Sequence, residues 1–170
     1  MSNVKLQIRR ATPQDIPDIQ RILKVSFEEY ATLLGLQSPS FIESDEAIRG
    51  DMDKKNVLCA TVNQMLLSGT IRYEIIGGVG YISRFGVLPN WQSSGTGGQL
   101  IAHVERLCRE QGAKALALHT ATTLYKQMRY YYGQGFYVHS TTHDRGYTRG
   151  LLVKPFMEGY EVAPIIEMKS

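Results

Sequence analysis

The stretch Gly86-Val87-Leu88-Pro89-Asn90-Trp91-Gln92-Ser93-Ser94-Gly95-Thr96-Gly97-Gly98-Gln99-Leu100 decides how the rest of the chain is read. An apolar run ends at Pro89, where a strand ladder cannot continue, and the residues after Trp91 are small and polar. After Gly97 a helical period begins. Leu100, Ile101, Val104, Leu107 and Cys108 share one face, His103, Glu105, Arg106, Arg109 and Glu110 lie toward the other, and Gly112 marks the stop. A strand that feeds a glycine-rich loop into a helix leaves free backbone N–H groups at the positive end of the helix dipole, where phosphate binds. Glycines also serve tight strand-to-helix packing, so the loop by itself leaves both readings open.

Working outward, Ala113 to Thr120 reads as the next strand. The unit Val79 to Thr120 is then strand, helix, strand, which predicts a parallel pair with a right-handed crossover and its loop at the carboxyl edge of the sheet. Ligands of open α/β sheets bind at that edge. The two common nucleotide fingerprints do not fit. A Walker loop needs Gly-Lys-Ser/Thr where this chain has Gly98-Gln99, and a dinucleotide loop needs Gly-x-Gly-x-x-Gly after a first strand, whereas Gly95-x-Gly97-Gly98 lies mid-chain.

Toward the amino terminus, Val4, Leu6 and Ile8 alternate with charged or polar residues as a half-buried strand. Thr12-Pro13-Gln14-Asp15 starts a helix whose apolar face is Ile16, Ile19, Ile22, Leu23 and Phe27. Gly35 to Ser40 is a loop, and Phe41 to Lys54 a weaker amphipathic helix with Phe41, Ile42, Ala47, Ile48 and Met52 on its face. Asn56 to Val62 and Met65 to Ile76 are strands joined by a hairpin turn at Asn63-Gln64, and Gly77-Gly78 turns the chain into the Val79 to Leu88 strand. Beyond the crossover, Thr122 to Gln134 is helical, with Leu124, Tyr125, Met128, Tyr131 and Tyr132 in its apolar or aromatic positions, Tyr130 and Tyr132 on other faces than Tyr131, and Gly135 as the stop. Phe136 to Thr142 and Tyr147 to Val153 close the chain as a hairpin, ahead of a tail from Met157 to Ser170.

The bulk numbers describe an ordinary globular chain. At 170 residues, with 43% hydrophobic and 21% charged residues, it suits one domain, with a core at 4–156 that needs no staple. A net charge of +3 without a basic run disfavours a nucleic-acid partner. Cys59 and Cys108 lie in separate apolar elements and read as small buried residues, and no histidine pair has zinc-ligand spacing, so no metal is expected. The amino terminus lacks a signal-peptide core, and no apolar run spans a bilayer, so the reading is a cytoplasmic protein without a membrane partner.

Gln92-Ser93-Ser94-Gly95-Thr96-Gly97, preceded by Val87-Leu88-Pro89, resembles the acyl-coenzyme A pyrophosphate loop of the GNAT superfamily of N-acetyltransferases. Tyr131-Tyr132-Gly133-Gln134-Gly135-Phe136 is similar to that family's late Tyr-x-x-x-Gly-Phe signature. The resemblance runs from Leu6 to about Pro155. It implies a GNAT-like mixed α/β fold, a mostly antiparallel twisted sheet of about seven strands with four helices and a central parallel pair. It also implies acetyl-coenzyme A as acyl donor, with its pyrophosphate on the amides of Gln92, Ser93, Ser94, Gly95, Thr96, Gly97 and Gly98. The pantetheine arm would lie between the Val79 and Ala113 strands, bonded to the backbone around Phe85 and Val87.

By the same resemblance the reaction is direct transfer of an acetyl group to a primary amine of a small molecule or peptide. Tyr131, in register five residues before Phe136, matches the family's general acid for the leaving thiolate. The family draws its base from varied positions. His119 near the end of the strand after the cofactor helix is the leading candidate, against the plainer reading of a strand histidine satisfied by a backbone carbonyl. Glu74 is the reserve. The acids Glu28, Glu29, Glu43, Asp45 and Glu46 either attract an amine or form solvated faces. Two departures stand out: Gln92 where many members carry arginine, and Ala121-Thr122-Thr123-Leu124 where many carry an asparagine. A non-catalytic acetyl-coenzyme A sensor is the alternative function. Members of the family are often homodimers, with the tail or last hairpin as the face for one.

Overall fold

The computed structural model describes residues 5–36 and 42–162. In chain order they form β1 (Leu6–Arg10), a 3-10 turn (Pro13–Asp15), α1 (Ile16–Leu33), α2 (Asp45–Lys54), β2 (Asn56–Val62), β3 (Leu66–Ile76), β4 (Val79–Val87), a second 3-10 turn (Pro89–Trp91), α3 (Thr96–Glu110), β5 (Ala115–Ala121), α4 (Tyr125–Gly133), β6 (Tyr137–Thr142) and β7 (Arg149–Pro155). The strands make one seven-stranded sheet in the order β1-β2-β3-β4-β5-β7-β6. Its one parallel pair is β4 with β5, so the expected mixed architecture is found. The chain divides into two compact units, Met1–Tyr73 with Arg84–Val104 and Glu74–Ser83 with Glu105–Ser170.

In the first unit α1 follows from its apolar spacing. Ile16, Ile19, Ile22 and Leu23 pack with Ile48 of α2 on Val57, Cys59 and Leu67. The entry to α1 is held by Asp15, whose carboxylate accepts from the Thr12 N–H at 2.8 Å and from both terminal nitrogens of Arg9 at 2.7 and 2.8 Å. Those bonds from Arg9, ahead of the opposing effect of burial, hold the Asp15 carboxyl below its ordinary range. The β2–β3 hairpin turns through Asn63 and Gln64 with φ of 51° and 63°, both left-handed as a two-residue turn requires.

α2 is shorter than the periodicity predicts. Ser44 caps it, its hydroxyl accepting from the Ala47 N–H at 3.1 Å, so the helix begins at Asp45. Ile42 and Ala47 are exposed and Ile48 carries the contact to the core; Phe41 lies outside the described residues, as does Val4.

In the second unit Val79, Gly80 and Tyr81 pair in parallel with Ala115, Leu116 and Ala117. β7 inserts between β5 and β6, antiparallel to both, a placement that the reading as a simple closing hairpin does not specify. The carboxyl-terminal half of α3 is fastened by Lys154 to Glu105 at 2.6 Å and by Arg109 stacked 4.0 Å over the Phe156 ring. In α4 the period places Leu124, Met128 and Tyr131 inward, while Tyr125 and Tyr132 are exposed. Positions 125 and 132 are seven apart and share the outer stripe of so short a helix.

At Gly80 the side chain of Cys108 in α3 packs close against β4. A Cβ there would stand 2.5 Å from Cys108 Sγ and 3.0 Å from Leu116 Cδ2. Gly80→Ala should therefore cost about 1–3 kcal/mol, a fall in melting temperature on the order of 3–10 °C. In a Cys108→Ala background the same substitution should cost measurably less, read by a double-mutant cycle of thermal melts. Equal costs in the two backgrounds would contradict this packing.

Candidate active site

The glycine-rich loop belongs to the first unit. From Val87 the chain passes through Leu88, whose N–H bonds the Ser68 carbonyl at 2.9 Å, into the 3-10 turn. The N–H groups of Gln92 and Ser94 are already taken, by Pro89 O at 3.4 Å and Trp91 O at 3.2 Å. Gly95, with φ of 87°, then reverses the chain so that α3 begins at Thr96, ahead of the start that the side-chain period indicates. The amides of Thr96, Gly97 and Gly98 have no preceding helical turn, and among the described residues no backbone acceptor meets them. Within the span Gln92 to Gly98, the N–H groups without such a backbone acceptor are those of Ser93 and of Gly95 through Gly98.

Side chains brace that geometry. Ser94 Oγ donates to Trp91 O at 2.6 Å and lies 2.8 Å from the buried Thr96 hydroxyl. Gln92, where many family members carry arginine, turns from the loop mouth and donates to Val87 O at 3.2 Å and Glu29 at 3.1 Å. No cationic side chain belongs to the loop, so its positive potential comes from the peptide dipoles at the start of α3.

Upstream, Arg84 adopts φ of 47° inside β4, a left-handed conformation rare for arginine in a strand and one that costs on the order of 1–3 kcal/mol. Its side chain reaches Glu43 at 3.4 Å. Glu43 is itself buried and pairs both oxygens with the fully buried Arg72, which also bonds Asp51 at 2.8 Å. This acid is therefore part of an ion-pair cluster, while Glu28, Glu29, Asp45 and Glu46 are exposed. Phe85 and Val87 follow Arg84 and end the strand before the loop.

The second unit holds Tyr131 and His119. Tyr131 is 9% exposed, and the Gly135-Phe136 pair that follows explains why. The Phe136 N–H bonds the Tyr131 carbonyl and the Gly135 N–H the Tyr132 carbonyl, each at 3.0 Å, with Gly135 at φ of 96°. This is a Schellman ending, and its apolar contact is the Phe136 ring set edge-on to Tyr131 at 5.6 Å. The late sequence signature is thus a device that ends α4 and fixes one tyrosine.

His119 faces the opposite way from α4. Thr120, next in β5, meets Gln127 of α4 at 3.2 Å, and alternation along the strand sends His119 to the other face. There Nδ1 lies 2.6 Å from the Tyr81 hydroxyl, so the partner is a phenol on β4 rather than a backbone carbonyl. Nothing in the sequence singles out Tyr81; the parallel register of β4 and β5 brings it there. Burial first, then the charges of Arg149 and Arg145, push the His119 pKa down to about 4, and His119 is neutral at pH 7. Glu74 sits in the partly buried end of β3. Among the described residues no group of three or more His, Cys, Asp or Glu could hold a metal ion, and no helix is long and apolar enough to cross a membrane.

The family model described as the acetyltransferase (GNAT) family matches residues 17–136, and the chain belongs to that family. No curated protein matches the chain in sequence. Among solved structures, the PaiA N-acetyltransferase of Thermoplasma acidophilum in complex with coenzyme A is similar with a TM-score of 0.77 at 19% identity, covering 89% of this chain and 99% of that one. The ribosomal-protein-S18-alanine N-acetyltransferase of Escherichia coli gives 0.72 at 16% identity, covering 94% and 99%. The yncA protein of Salmonella typhimurium with its cofactor acetyl-CoA gives 0.70 at 14%, again covering 94% and 99%. At these identities the likeness is one of fold.

The depressed His119 has a consequence for stability. The unfolded chain takes up this proton below about 6.5, and the folded chain refuses it until about 4. The stability tied to neutral His119 is therefore complete above pH 6.5 and is lost as pH falls through that window. Wild-type melting temperature should fall more steeply between pH 6.5 and 4 than that of His119→Gln. Parallel profiles would show that the folded chain binds this proton normally.

Proposed function

We propose that the protein is an acetyl-CoA-dependent N-acetyltransferase acting on a primary amine of a small molecule or peptide. The observation that carries this is the set of unpartnered amides at Thr96, Gly97 and Gly98, set behind the left-handed Gly95 in a chain of the GNAT family. These groups fit a pyrophosphate: convergent N–H donors at a helix start, with no side chain on Gly95, Gly97 or Gly98 to obstruct them. Ser93 and Gly95 add amides at the rim. Phe85 and Val87 offer backbone groups to the pantetheine arm.

Acetyl-CoA supplies an activated acetyl thioester, and the chain's task is to manage two protons. Acyl transfer wants a base on the side from which the amine arrives and an acid for the departing thiolate. His119 is the candidate for the first role by position: Nδ1 is engaged by Tyr81, which leaves Nε2 for the amine, and with a pKa of about 4 in the free protein it takes the proton only where the bound acceptor offsets the burial and the two arginine charges. With Nδ1–H donating to the phenol oxygen, Nε2 is the acceptor, and the imidazolium formed keeps that bond. Tyr131 suits the second role: it carries a phenol hydroxyl, and the Phe136 contact holds its ring. That α4 and His119 meet opposite faces of β5 supports a division of labour between base and acid.

Acetyl-CoA should raise the melting temperature of the wild type, and Gly97→Leu, which sets a side chain over the free amides, should abolish the rise. A wild type indifferent to acetyl-CoA would overturn the proposal. In a free-thiol assay over a panel of primary amines, Tyr131→Phe should lower turnover of an active amine by roughly 10²-fold while leaving the acetyl-CoA thermal shift in place. Unchanged turnover would remove Tyr131 from the acid role.

A further inference from the structure

On the His119 face of the second unit lies a cavity of about 140 Å³ lined by His119, Ser140, Thr141, Thr142 and Leu151. Its wall is shaped by a bulge in β6. Val138 pairs with Leu152, but the next pairing is Ser140 with Leu151, so His139 is the extra residue. Without the bulge, alternation would turn Ser140 and Thr142 to the α4 face. With it they share the face of Leu151 and of His119, which pairs with Leu151 from the other side.

Arg149 stands at the end of that face, between Ala121 and Thr142 in register. Its side chain is 7% exposed, and Nη2 reaches Asp144 only at 3.3 and 3.4 Å, long for a charged pair. Nε has no partner among the described residues. A buried guanidinium with an idle donor and a half-exposed, loosely held counter-charge is costly to keep in a free protein. The charges of Arg149 and Arg145 both act on the neutral His119 imidazole that lines the cavity, against the single opposing charge of Asp144.

We propose that this cavity is a subsite for a carboxylate carried by the acceptor amine, with Arg149 as its charge partner and the Ser140 and Thr142 hydroxyls as its neutral donors. The acceptor class is then an amino-carboxylate rather than a simple alkylamine or polyamine, whose second cation would meet Arg149 and Arg145. That the anion arrives as part of an acceptor rests on the acetyl-transfer reading. The cavity's affinity for a carboxylate does not.

The test follows the His119 imidazole signals by NMR, assigned through His119→Gln, while N-acetylglycine or its neutral amide N-acetylglycinamide is titrated into the full-length protein. N-acetylglycine should shift those signals saturably and the amide should not. Arg149→Gln should weaken the response about tenfold or more, with Arg149→Lys retaining part of it. If both probes shift the signals alike, or neither does, the wild type alone overturns the subsite whatever the variants do. The two readings fail separately. A thermal shift with acetyl-CoA and no response to N-acetylglycine removes the subsite and leaves acetyl transfer standing. A response to N-acetylglycine with no acetyl-CoA binding keeps the subsite and removes the transferase reading.

Discussion

A parallel pair of strands cannot be closed by a tight turn, and much of this molecule follows from that. The register of Val79 to Tyr81 against Ala115 to Ala117 obliges the chain to leave β4 at one end and return to the other end of β5. α3 makes the return, and a helix that starts just past a strand end points its first amides outward from the sheet edge. The glycine-rich loop is the shortest way to set those amides free, because Gly95 absorbs the left-handed reversal. The same pairing places Tyr81 beside His119. One short register thus requires the crossover helix and pairs a phenol with an imidazole.

β5 then separates its neighbours by alternation alone. Its even-numbered Thr120 meets α4, the helix of Tyr131, and its odd-numbered His119 turns to the face of Leu151 and the polar cavity. Neighbouring residues on a strand point to opposite faces of the sheet. The β6 bulge at His139 extends the division by adding hydroxyls to the histidine face. Two single-residue devices, one in β4 at Arg84 and one in β6, re-aim groups that regular strands would have sent elsewhere.

The sequence was most legible where short-range chemistry decides the conformation. Glycine spacing and helical period around Gly95 located the loop, and the six residues from Tyr131 to Phe136 encode a complete helix ending whose parts are local. The meander from β2 to β4 and the parallel pairing of β4 with β5 followed from turn residues and connection lengths, while the place of β1 beside β2 did not. Less legible were features made by partners distant in the chain. Tyr81 meets His119 across 38 positions and Arg72 meets Glu43 across 29, and no local pattern marks either pair. The Glu43 pairing turned an acid read as a surface or amine-attracting charge into part of a buried cluster. Arg84 was invisible for another reason: arginine has no preference for positive φ, so its conformation is imposed by the surroundings.

The two thiols carry a last consequence. Cys59 and Cys108 are fully buried and unpaired, and burial pushes both thiols up to about 12. At neutral pH almost none of either is thiolate, the form that reacts with disulfides and alkylating agents. The folded chain is therefore chemically silent toward such reagents, and a thiol liberated beside it is read against no background from the protein. Once the core opens, both sulfurs speak at once, so the same reagent that counts a released thiol also reports the integrity of the fold.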